Sequence, residues 1–225
     1  MKNLIYSILC TLLAIVSLSS CSQDASESES FSPAEINLIS GCDSIMRVLT
    51  IADSLDYEVL RAKSCDLPAS ALLSDEYAKL EKLLIATVTH PSQDGVGIAG
   101  PQVGLNRRVV AVQRFDKEGE PFEVYPNISI VWASASLSPG PEGCLSVPDR
   151  RGEVMRAEEI VIEYADMKAL RQVYDINPCS KAEKNLGFEI PIIRDTVSGF
   201  TAVIFQHEAD HLDGVLYIDR LKGFW

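Results

Sequence analysis

Two of the three histidines in this 225-residue chain stand four residues apart, with a glutamate directly after the first. Residues i and i+4 lie on one face of a helix, so His207 and His211 can bind a single metal ion if this segment is helical. Glu208 then lies roughly 100° around the helix from His207, where it can hydrogen-bond a metal-bound water without being a ligand. The alternative is a pair of structural histidines. Because the surrounding helix is otherwise mostly apolar, three unpaired ionisable groups there would be costly, and the pattern predicts a metal site.

The third ligand does not follow from this segment. In metalloproteases with a His-Glu-x-x-His pattern it lies downstream, but neither glutamate nor histidine follows His211. The candidates upstream include several carboxylates and five other side chains: His90, Cys42, Cys65, Cys144 and Cys179. Cys144 has the most suitable surroundings, because a turn rich in proline and glycine at residues 138–146 can present a thiolate and leave backbone N–H groups free.

The segments that must position these residues have the patterns of helices and strands. Ser74 can cap a helix over Asp75–Val88, whose apolar side chains recur at helical spacing. Stretches rich in β-branched and aromatic residues predict strands at residues 108–115, 122–132 and 159–164. The mostly apolar helix that carries the histidines is predicted over residues 200–213, with Gly214 after its end. Strands between helices, without an internal repeat, indicate an α+β fold.

Composition excludes several classes of protein. The chain has 20 basic and 32 acidic side chains, a net charge of −12, and 47% hydrophobic residues. The hydrophobic fraction excludes a disordered chain. The acidic balance argues against a nucleic-acid partner and against electrostatic docking on anionic lipid. A folded part of about 200 residues can bury a core without disulfides.

The first residues predict an export signal. Lys2 precedes an apolar run to about Leu18 that is short for a transmembrane helix. Residues 18–21, Leu-Ser-Ser-Cys, resemble a bacterial lipobox, in which the cysteine is acylated and becomes the N-terminus. We therefore expect a lipoprotein signal peptide at residues 1–20, lipidation of Cys21 and a flexible acidic tether at residues 21–31. The alternative is an ordinary signal peptide that happens to precede a cysteine.

On this interpretation the protein is exported and anchored to a membrane by its lipid alone, facing the periplasm or the cell exterior. The folded part begins near Ser32, where Ser32, Pro33 and Glu35 form a favourable helix start.

Three segments, in the same order along the chain, resemble the motifs of the peptide deformylase family. Residues 95–102, Gly-Val-Gly-Ile-Ala-Gly-Pro-Gln, are similar to the first motif. Residues 142–146, Glu-Gly-Cys-Leu-Ser, match the second, and residues 206–214, Gln-His-Glu-Ala-Asp-His-Leu-Asp-Gly, match the third. The resemblance implies a catalytic domain at residues 32–225 with a peptide deformylase-like fold. In that fold, antiparallel or mixed strands pack around a buried central helix that carries the His-Glu-x-x-His motif.

The resemblance also implies roles for individual residues. One divalent ion, expected to be Fe²⁺ with Zn²⁺ and Ni²⁺ as alternatives, would be bound by Cys144, His207 and His211. Glu208 would be the general base, and the oxyanion of the formyl carbonyl would be held by the Gln102 side-chain amide and the Leu145 backbone N–H. The substrate-binding residues would be Gly95, Gly97, Ile98 and Gly143. Glu142 and Arg156 would form a structural ion pair.

The implied activity is removal of the N-formyl group from formyl-methionyl peptides, by a protein expected to be monomeric. Export is unusual for such an enzyme, because the family normally meets nascent chains at the ribosome. Two alternatives therefore stay open: an exported metal-dependent amidase or peptidase with altered N-acyl-peptide specificity, and a binding protein that keeps the site without catalysis. The chain departs from the family pattern at Gly100, usually alanine, and at residues 177–187, which look inserted. Cys42, Cys65 and Cys179 permit at most one disulfide.

Overall fold

A computed structural model describes residues 30–176 and 189–221. The helices in these residues are α1 (Pro33–Ser40), α2 (Ser54–Arg61), α3 (Ala69–Leu72), α4 (Asp75–Val88), α5 (Met167–Ile176) and α6 (Gly199–Leu212). The strands are β1 (Gly97–Ala99), β2 (Val109–Gln113), β3 (Phe122–Pro126), β4 (Ser129–Ala133), β5 (Leu137–Cys144), β6 (Val147–Ala157), β7 (Glu159–Ala165) and β8 (Ile192–Ser198). Short 3₁₀-helices occupy Gly100–Val103 and Tyr217–Arg220.

The strands form three small antiparallel sheets. Their orders are β1-β2-β3, β4-β7-β8 and β5-β6. Helix α6 contacts members of all three sheets, and nine of its residues are buried. The predicted α+β class is confirmed, and its strands are antiparallel.

The core lies on two sides of the first sheet. One cluster joins the apolar faces of α1 and α4 to β1 and β2, with Leu80, Leu84 and Val109 fully buried. The second cluster packs α6 against the first and second sheets, through residues such as Phe205 and Ile162. Because side chains alternate between the faces of a strand, β2 can contribute to both clusters.

Two helices begin as their sequences predict. Helix α4 has the predicted bounds, and Ser74 Oγ accepts a hydrogen bond from the Tyr77 N–H at 3.1 Å. At α1, Ser32 Oγ accepts from the Glu35 N–H at 3.3 Å while Glu35 accepts from the Ser32 N–H at 2.7 Å. This reciprocal pair is a capping box, which satisfies two N–H groups that would otherwise lack a helical partner.

Two sequence predictions differ from the structure. The single strand predicted at residues 122–132 is two strands, since Asn127 adopts a φ of 53° between them. The Asn127 side chain fixes this break by hydrogen bonds to the backbone N–H and carbonyl of Leu67, at 2.7 and 2.8 Å. The turn predicted at residues 138–146 is instead mostly strand β5. Pro139 and Pro141 fit there because, among the described strands, β5 pairs only with β6, and an edge strand tolerates residues without an N–H.

Some expectations fall outside the described residues. These are the signal peptide, most of the tether, Cys21, Cys179 and the insertion at residues 177–187. Within the part that is described, Cys42, Cys65 and Cys144 are free thiols. None of the helices in that part combines the length and the apolar character that crossing a bilayer requires.

Candidate metal centre

Three side chains from two distant segments converge beside α6. His207 and His211 lie on one face of α6, with ring centroids 5.1 Å apart, and Cys144 is the last residue of β5. Cys144 Sγ lies 3.2 Å from His211 Nε2. One ligand atom from each of the three residues lies within 4.8 Å of the other two. The structure thus brings together the three residues that the sequence resemblance names as ligands.

The hairpin of β5 and β6 positions the cysteine. Gly143 pairs with Arg151 in the ladder, whereas the next residue, Cys144, pairs with Val147. Three residues of β6 are therefore interposed without partners, and the ladder bulges next to Cys144. Behind the bulge, Val147 packs with Leu216 and Tyr217 in a third small core cluster, which fixes the end of the hairpin against the segment after α6.

Helix α6 ends at a position that only glycine fits. Gly214 follows the helix with a φ of 72°, and a Cβ atom there would overlap the carbonyl oxygen of Arg61 in α2. Arg61 in turn pairs with Asp219 and donates to the Gly214 carbonyl oxygen at 3.3 Å. The close contact between α2 and Gly214 therefore fixes the position of the last turn of α6, which carries His211.

A buried carboxylate orients His207. Glu142 Oε2 lies 2.8 Å from His207 Nδ1, and Glu142 also accepts two hydrogen bonds from Arg156, at 2.7 and 3.0 Å. The side chains of Glu142 and Arg156 are buried, and that of His207 is only 11% exposed. With Nδ1 occupied by Glu142, the Nε2 atom of His207 is the one left for a metal. A carboxylate that fixes the ring and tautomer of a ligating histidine in this way is a common feature of metal sites.

The ion pairs continue away from the histidine. Arg156 donates to Asp210 Oδ2 at 2.6 Å, and Asp210 is also held by Arg220 through two hydrogen bonds of 2.5 Å each. Arg156 is thus placed between one carboxylate from β5 and another from α6. A buried guanidinium would be unfavourable alone, and its two acidic partners compensate that charge.

The histidines differ in electrostatic environment. Burial opposes the charged form of His207, but hydrogen bonds with Cys144 and Glu142 outweigh it and raise the pKa of His207 to about 10. Burial and the neighbouring His207 charge lower the pKa of His211, which keeps that ring neutral. For Glu142, burial favours the neutral acid, but His207 and Arg156 hold its pKa at about 2. A metal ion requires neutral imidazoles and a thiolate, so its binding releases protons.

Glu208 is the buried acid of the site. Its side chain is 3% exposed, and its Oε2 atom has no hydrogen-bond partner among the described residues. Burial raises the pKa of Glu208 to about 7, against the favourable charge of His207. The carboxylate fits because residue 97 is glycine, as a Cβ atom there would lie 2.5 Å from Glu208 Oε1. A carboxyl group with a pKa near 7 can both accept and donate a proton at neutral pH.

Gln102 points its amide nitrogen at the site. Its Oε1 atom accepts from the Ala99 N–H at 2.9 Å, which fixes the orientation of the amide. Its Nε2 atom lies 3.2 Å from Ser146 Oγ and 3.5 Å from Cys144 Sγ. Leu145, the other predicted oxyanion donor, directly follows Cys144 and lines the same cleft. Both donors predicted from the sequence therefore lie beside the three converging side chains.

Cys144, His207, Glu208, Gln102 and Leu145 line a cleft of about 760 Å³, and His211 lies behind its lining. Its lining consists of residues 93–97, Pro141–Leu145 and 149–151, together with Phe200, Val203, Ile204, His207 and Glu208 of α6 and the residues Gln102 and Val147. Three of the four predicted substrate-binding residues, Gly95, Gly97 and Gly143, line this cleft. The fourth does not, because Ile98 is fully buried in the core cluster of α4. Side chains alternate along β1, so Ile98 could meet a substrate only through its backbone.

The donor set fits a metal ion. A cysteine sulfur and two imidazole nitrogens suit Fe²⁺, Zn²⁺ and Ni²⁺ and are poor ligands for Mg²⁺ or Ca²⁺. Three protein ligands leave a position open for water or substrate, as in catalytic sites. The unpartnered carboxylate oxygen of Glu208 next to these ligands is a buried polar atom that a water bound in the cleft would satisfy.

Sequence reasoning missed several residues of the site. Asp210 and Arg220 were not assigned a role, although Asp210 lies inside the histidine motif and accepts a hydrogen bond from Arg156 at 2.6 Å. Val203 precedes His207 by four residues, as Ile204 precedes Glu208, and Phe200 precedes His207 by seven. Helical spacing alone therefore places these apolar residues on the face of α6 that carries His207 and Glu208. Nothing in the sequence indicated that Arg150 and Arg151 line the cleft, since their position depends on the bulge in β6.

Comparison with known proteins identifies similar sequences. The chain matches the family model described as Polypeptide deformylase over residues 45–178 and 190–224. It is 34% identical over 172 residues to the peptide deformylase of Leptospira biflexa serovar Patoc, across 73% of this chain and 83% of that protein. It is 35% identical over 153 residues to peptide deformylase 2 of Gloeobacter violaceus, across 67% of this chain and 69% of that protein.

Solved structures show the same similarity. The Met-Ala-Ser-bound class I type b peptide deformylase from Acinetobacter baumannii superposes with a TM-score of 0.63 and 28% identity, covering 80% of this chain and 100% of that one. The peptide deformylase from Thermotoga maritima gives a TM-score of 0.62 and 26% identity, with coverage of 80% and 100%. The deformylase-like fold expected from the three sequence motifs is confirmed.

Proposed function

Since the chain belongs to the polypeptide deformylase family of metallo-hydrolases, we propose that it removes the N-formyl group from formyl-methionyl peptides. The observation that carries this proposal is the convergence of Cys144, His207 and His211, within 4.8 Å of one another, beside a cleft that Cys144, His207 and Glu208 line. Hydrolysis of an amide needs an activated water, a proton carrier and donors for the developing oxyanion, and this cleft offers residues suited to each task.

Cys144, His207 and His211 would hold one divalent ion, with Fe²⁺ proposed as the native metal and Zn²⁺ or Ni²⁺ as substitutes. When bound, such an ion lowers the pKa of water and polarises a carbonyl oxygen. Glu142 would keep the His207 ring in the orientation that leaves Nε2 free for the ion. Helix α6 would therefore supply two of the three metal ligands, His207 and His211, and also the neighbouring acid, Glu208.

Glu208 would carry the proton through the reaction. Its carboxylate accepts a proton from the attacking water while the water oxygen bonds to the formyl carbon. It then donates that proton to the amide nitrogen as the carbon–nitrogen bond breaks, which yields formate and a peptide with a free amine. The pKa of about 7, caused by burial, suits a group that must both take and give a proton.

The oxyanion would be stabilised by two donors that are already in place. The Gln102 amide is oriented by its bond to Ala99, and one Nε2–H would exchange its contact with Cys144 Sγ for the oxyanion. The Leu145 backbone N–H follows directly after Cys144 in the wall of the cleft. Removing one such donor typically costs about 10²–10³ in rate.

The cleft is suited to an extended peptide with an apolar first side chain. Strand β1 pairs only with β2 among the described strands, and Gly97 of β1 and the end of β5 both line the cleft, so a bound peptide could use free backbone groups of β1. Phe200, Val203 and Ile204 provide an apolar surface for an unbranched side chain such as methionine. The A. baumannii relative was solved with Met-Ala-Ser bound.

We also propose that the protein acts outside the cytoplasm as a lipoprotein anchored through Cys21. The support is the sequence alone: an apolar run, Leu-Ser-Ser-Cys at residues 18–21 and an acidic tether before α1. Its substrates would then be formylated peptides that leave the cell interior, rather than chains on the ribosome.

The deciding experiment is formate release from formyl-Met-Ala-Ser by the purified protein, loaded anaerobically with Fe²⁺, Ni²⁺ or Zn²⁺ in separate samples. Acetyl-Met-Ala-Ser is the matched control. Formate release that exceeds acetate release is expected. If none of the three metals supports release of formate, the deformylase assignment fails, and the alternative of an amidase with other N-acyl specificity is tested next; the relatives described above give that alternative no support.

A further inference from the structure

Two neighbouring arginines differ from all others in the chain. The sequence contains eleven arginines, all within the described residues. Nine of them have a carboxylate oxygen within 3.9 Å. The two without such a partner among the described residues are Arg150 and Arg151, and both are exposed. In a chain with 32 acidic side chains, two adjacent unpaired guanidinium groups call for a physical explanation.

Both arginines line the cleft. Arg151 pairs across the β5–β6 ladder with Gly143, one residue before Cys144. Arg150 belongs to the three residues that bulge out of β6 between the partners of Gly143 and Cys144. Bulges next to active sites commonly redirect a side chain, and here the bulge brings a second guanidinium to the rim beside the first.

The carboxylates that line the cleft form no ion pair with these two arginines. Asp94 and Asp149 also line the cleft, but neither forms an ion pair with Arg150 or Arg151. Glu142 is bound to Arg156 and His207, and Glu208 is buried on α6. The lining contains no lysine and no third arginine. The cleft therefore presents, next to Gly143, two guanidinium groups that no carboxylate of the described residues binds.

We infer that Arg150 and Arg151 form a subsite for a carboxylate group of the substrate, so that the enzyme favours short formyl peptides with a free carboxylate. The inference rests on the proposed function, because it takes the formyl end of the peptide to lie at Cys144. A strand rises about 3.3 Å per residue, so an extended tripeptide spans about 10 Å. Its carboxylate then reaches the rim of the cleft, where a planar guanidinium can bind both oxygens.

A carboxylate at this distance marks a particular class of substrate. A long nascent chain has amide bonds, not a terminal carboxylate, two or three residues after its formyl group. A released fragment of a few residues has that carboxylate. The arginine pair therefore adapts the cleft to peptide fragments, and an acidic side chain at the third residue would be recognised through the same chemistry.

The test measures binding and turnover on the metal-loaded full chain. Binding of Met-Ala-Ser with a free carboxylate is compared with binding of its C-terminal amide by calorimetry. Formate release is measured in parallel with formyl-Met-Ala-Ser, its amide and formyl-Met-Ala-Glu amide. In the wild type we expect the free acid to bind about five- to tenfold more tightly than the amide, since two partly exposed charge-assisted bonds are involved.

The variants assign that preference to the two side chains. In the R150Q/R151Q double variant the ratio of acid to amide affinity should fall to about one. The matched control is Lys63→Gln, which removes one positive charge at an exposed position outside the cleft lining and should leave the ratio unchanged. A gain for formyl-Met-Ala-Glu amide over formyl-Met-Ala-Ser amide would show that a side-chain carboxylate is accepted as well.

The inference and the proposed function can fail separately. Equal affinities of acid and amide for the wild type, or a preference that persists in the double variant, would overturn the subsite even if formate is released. A preference that the double variant abolishes, together with no formate release, would support the subsite and overturn the deformylase assignment.

Discussion

His207 Nδ1 lies 2.8 Å from Glu142 Oε2, although the two residues are 65 positions apart in sequence, one in α6 and the other in the β5–β6 hairpin. The same carboxylate accepts two hydrogen bonds from Arg156, which also pairs with Asp210 one turn of α6 from His207. Strand β5 thus fixes the direction of a ligand that belongs to α6. The metal centre depends on this cross-connection as well as on its three ligands.

Replacing Glu142 by Gln should weaken metal binding about 10- to 100-fold, the usual effect of losing a carboxylate partner of a ligating histidine. The amide keeps the size of the side chain but no longer carries the charge that balances Arg156. Affinity is measured by competition with a chelator of known strength. Glu153→Gln, at an exposed position of β6, is the control. Equal affinities of the two variants would contradict the orienting role of Glu142.

Replacing Glu208 by Gln should leave the metal in place and slow formate release by about 10²–10⁴-fold, the contribution expected of a positioned acid–base group. Gln fits the space beside Gly97 but cannot carry the proton. Elemental analysis and formate release are measured on the same sample. Full turnover by this variant would exclude Glu208 as the proton carrier, and loss of metal would show that its role is structural.

Cys144→Ser should lose the metal or exchange it for another ion, because a neutral hydroxyl is a much poorer ligand for soft and borderline metals than a thiolate. Metal content per chain is determined after dialysis. Cys65→Ser changes an exposed free thiol and should retain the metal. A Cys144→Ser protein with unchanged metal content would refute thiolate ligation.

The ion pair of Glu35 with Arg107 predicts a dependence of stability on pH. Burial raises the pKa of Glu35, but hydrogen bonds from Arg107 and Ser32 outweigh it and hold that pKa below the ordinary value of 4.5. The pair therefore stabilises the fold fully above pH 4.5, and its contribution is lost as the pH falls through the lower pKa of the folded state.

The measurement compares the wild type with Glu35→Gln by urea unfolding. At pH 7 the wild type should be more stable by about 1 kcal/mol, because the carboxylate is half-buried and held by two bonds from one guanidinium. The difference should become smaller toward pH 3. Glu118→Gln, at an exposed loop position, should show no such trend. A difference that is the same at both pH values would argue that Glu35 acts only through its shape.

Lipidation predicts that radiolabelled palmitate is incorporated into the wild type in a bacterial host and not into Cys21→Ala. On the proposed lipidation the Cys21 thiol would be the acylated group, so its removal would leave no attachment site and the variant should move to the soluble fraction. Label that persists in Cys21→Ala would exclude the lipobox interpretation.

The parts of the fold that are governed by local patterns could be predicted from the sequence. Helix α4 has a capping serine, a polar first turn and apolar residues at helical spacing, and its bounds follow from these alone. The three metal-binding candidates were also identified, two from their spacing on α6 and the third from the likeness of residues 142–146 to a known motif. The family was confirmed by comparison.

Features that depend on pairing between distant segments could not be predicted. Two prolines made β5 look like a turn, because nothing local shows that the strand lies at an edge. Strand β8 was not predicted, because it forms through its pairing with β7. Helix α5 was missed although Met167, Leu170 and Val173 recur at helical spacing, and the burial of Leu170 in the first core cluster stabilises it. The ion pairs of Asp210 and the exposure of Arg150 and Arg151 to the cleft likewise depend on the register of one hairpin.

The capping box at Ser32 has a mechanical consequence. Ser32 and Glu35 exchange hydrogen bonds, Glu35 is bound to Arg107, and Phe31 is buried in the first core cluster. A pull on the chain ahead of Ser32 would therefore be borne by α1 and its attachment to the segment after Gly100–Val103. The load would enter the domain there, whereas Cys144 and His207 are held by β5 and α6. Force applied through an N-terminal tether would therefore act on α1 and its contacts, at a distance from the residues of the metal centre.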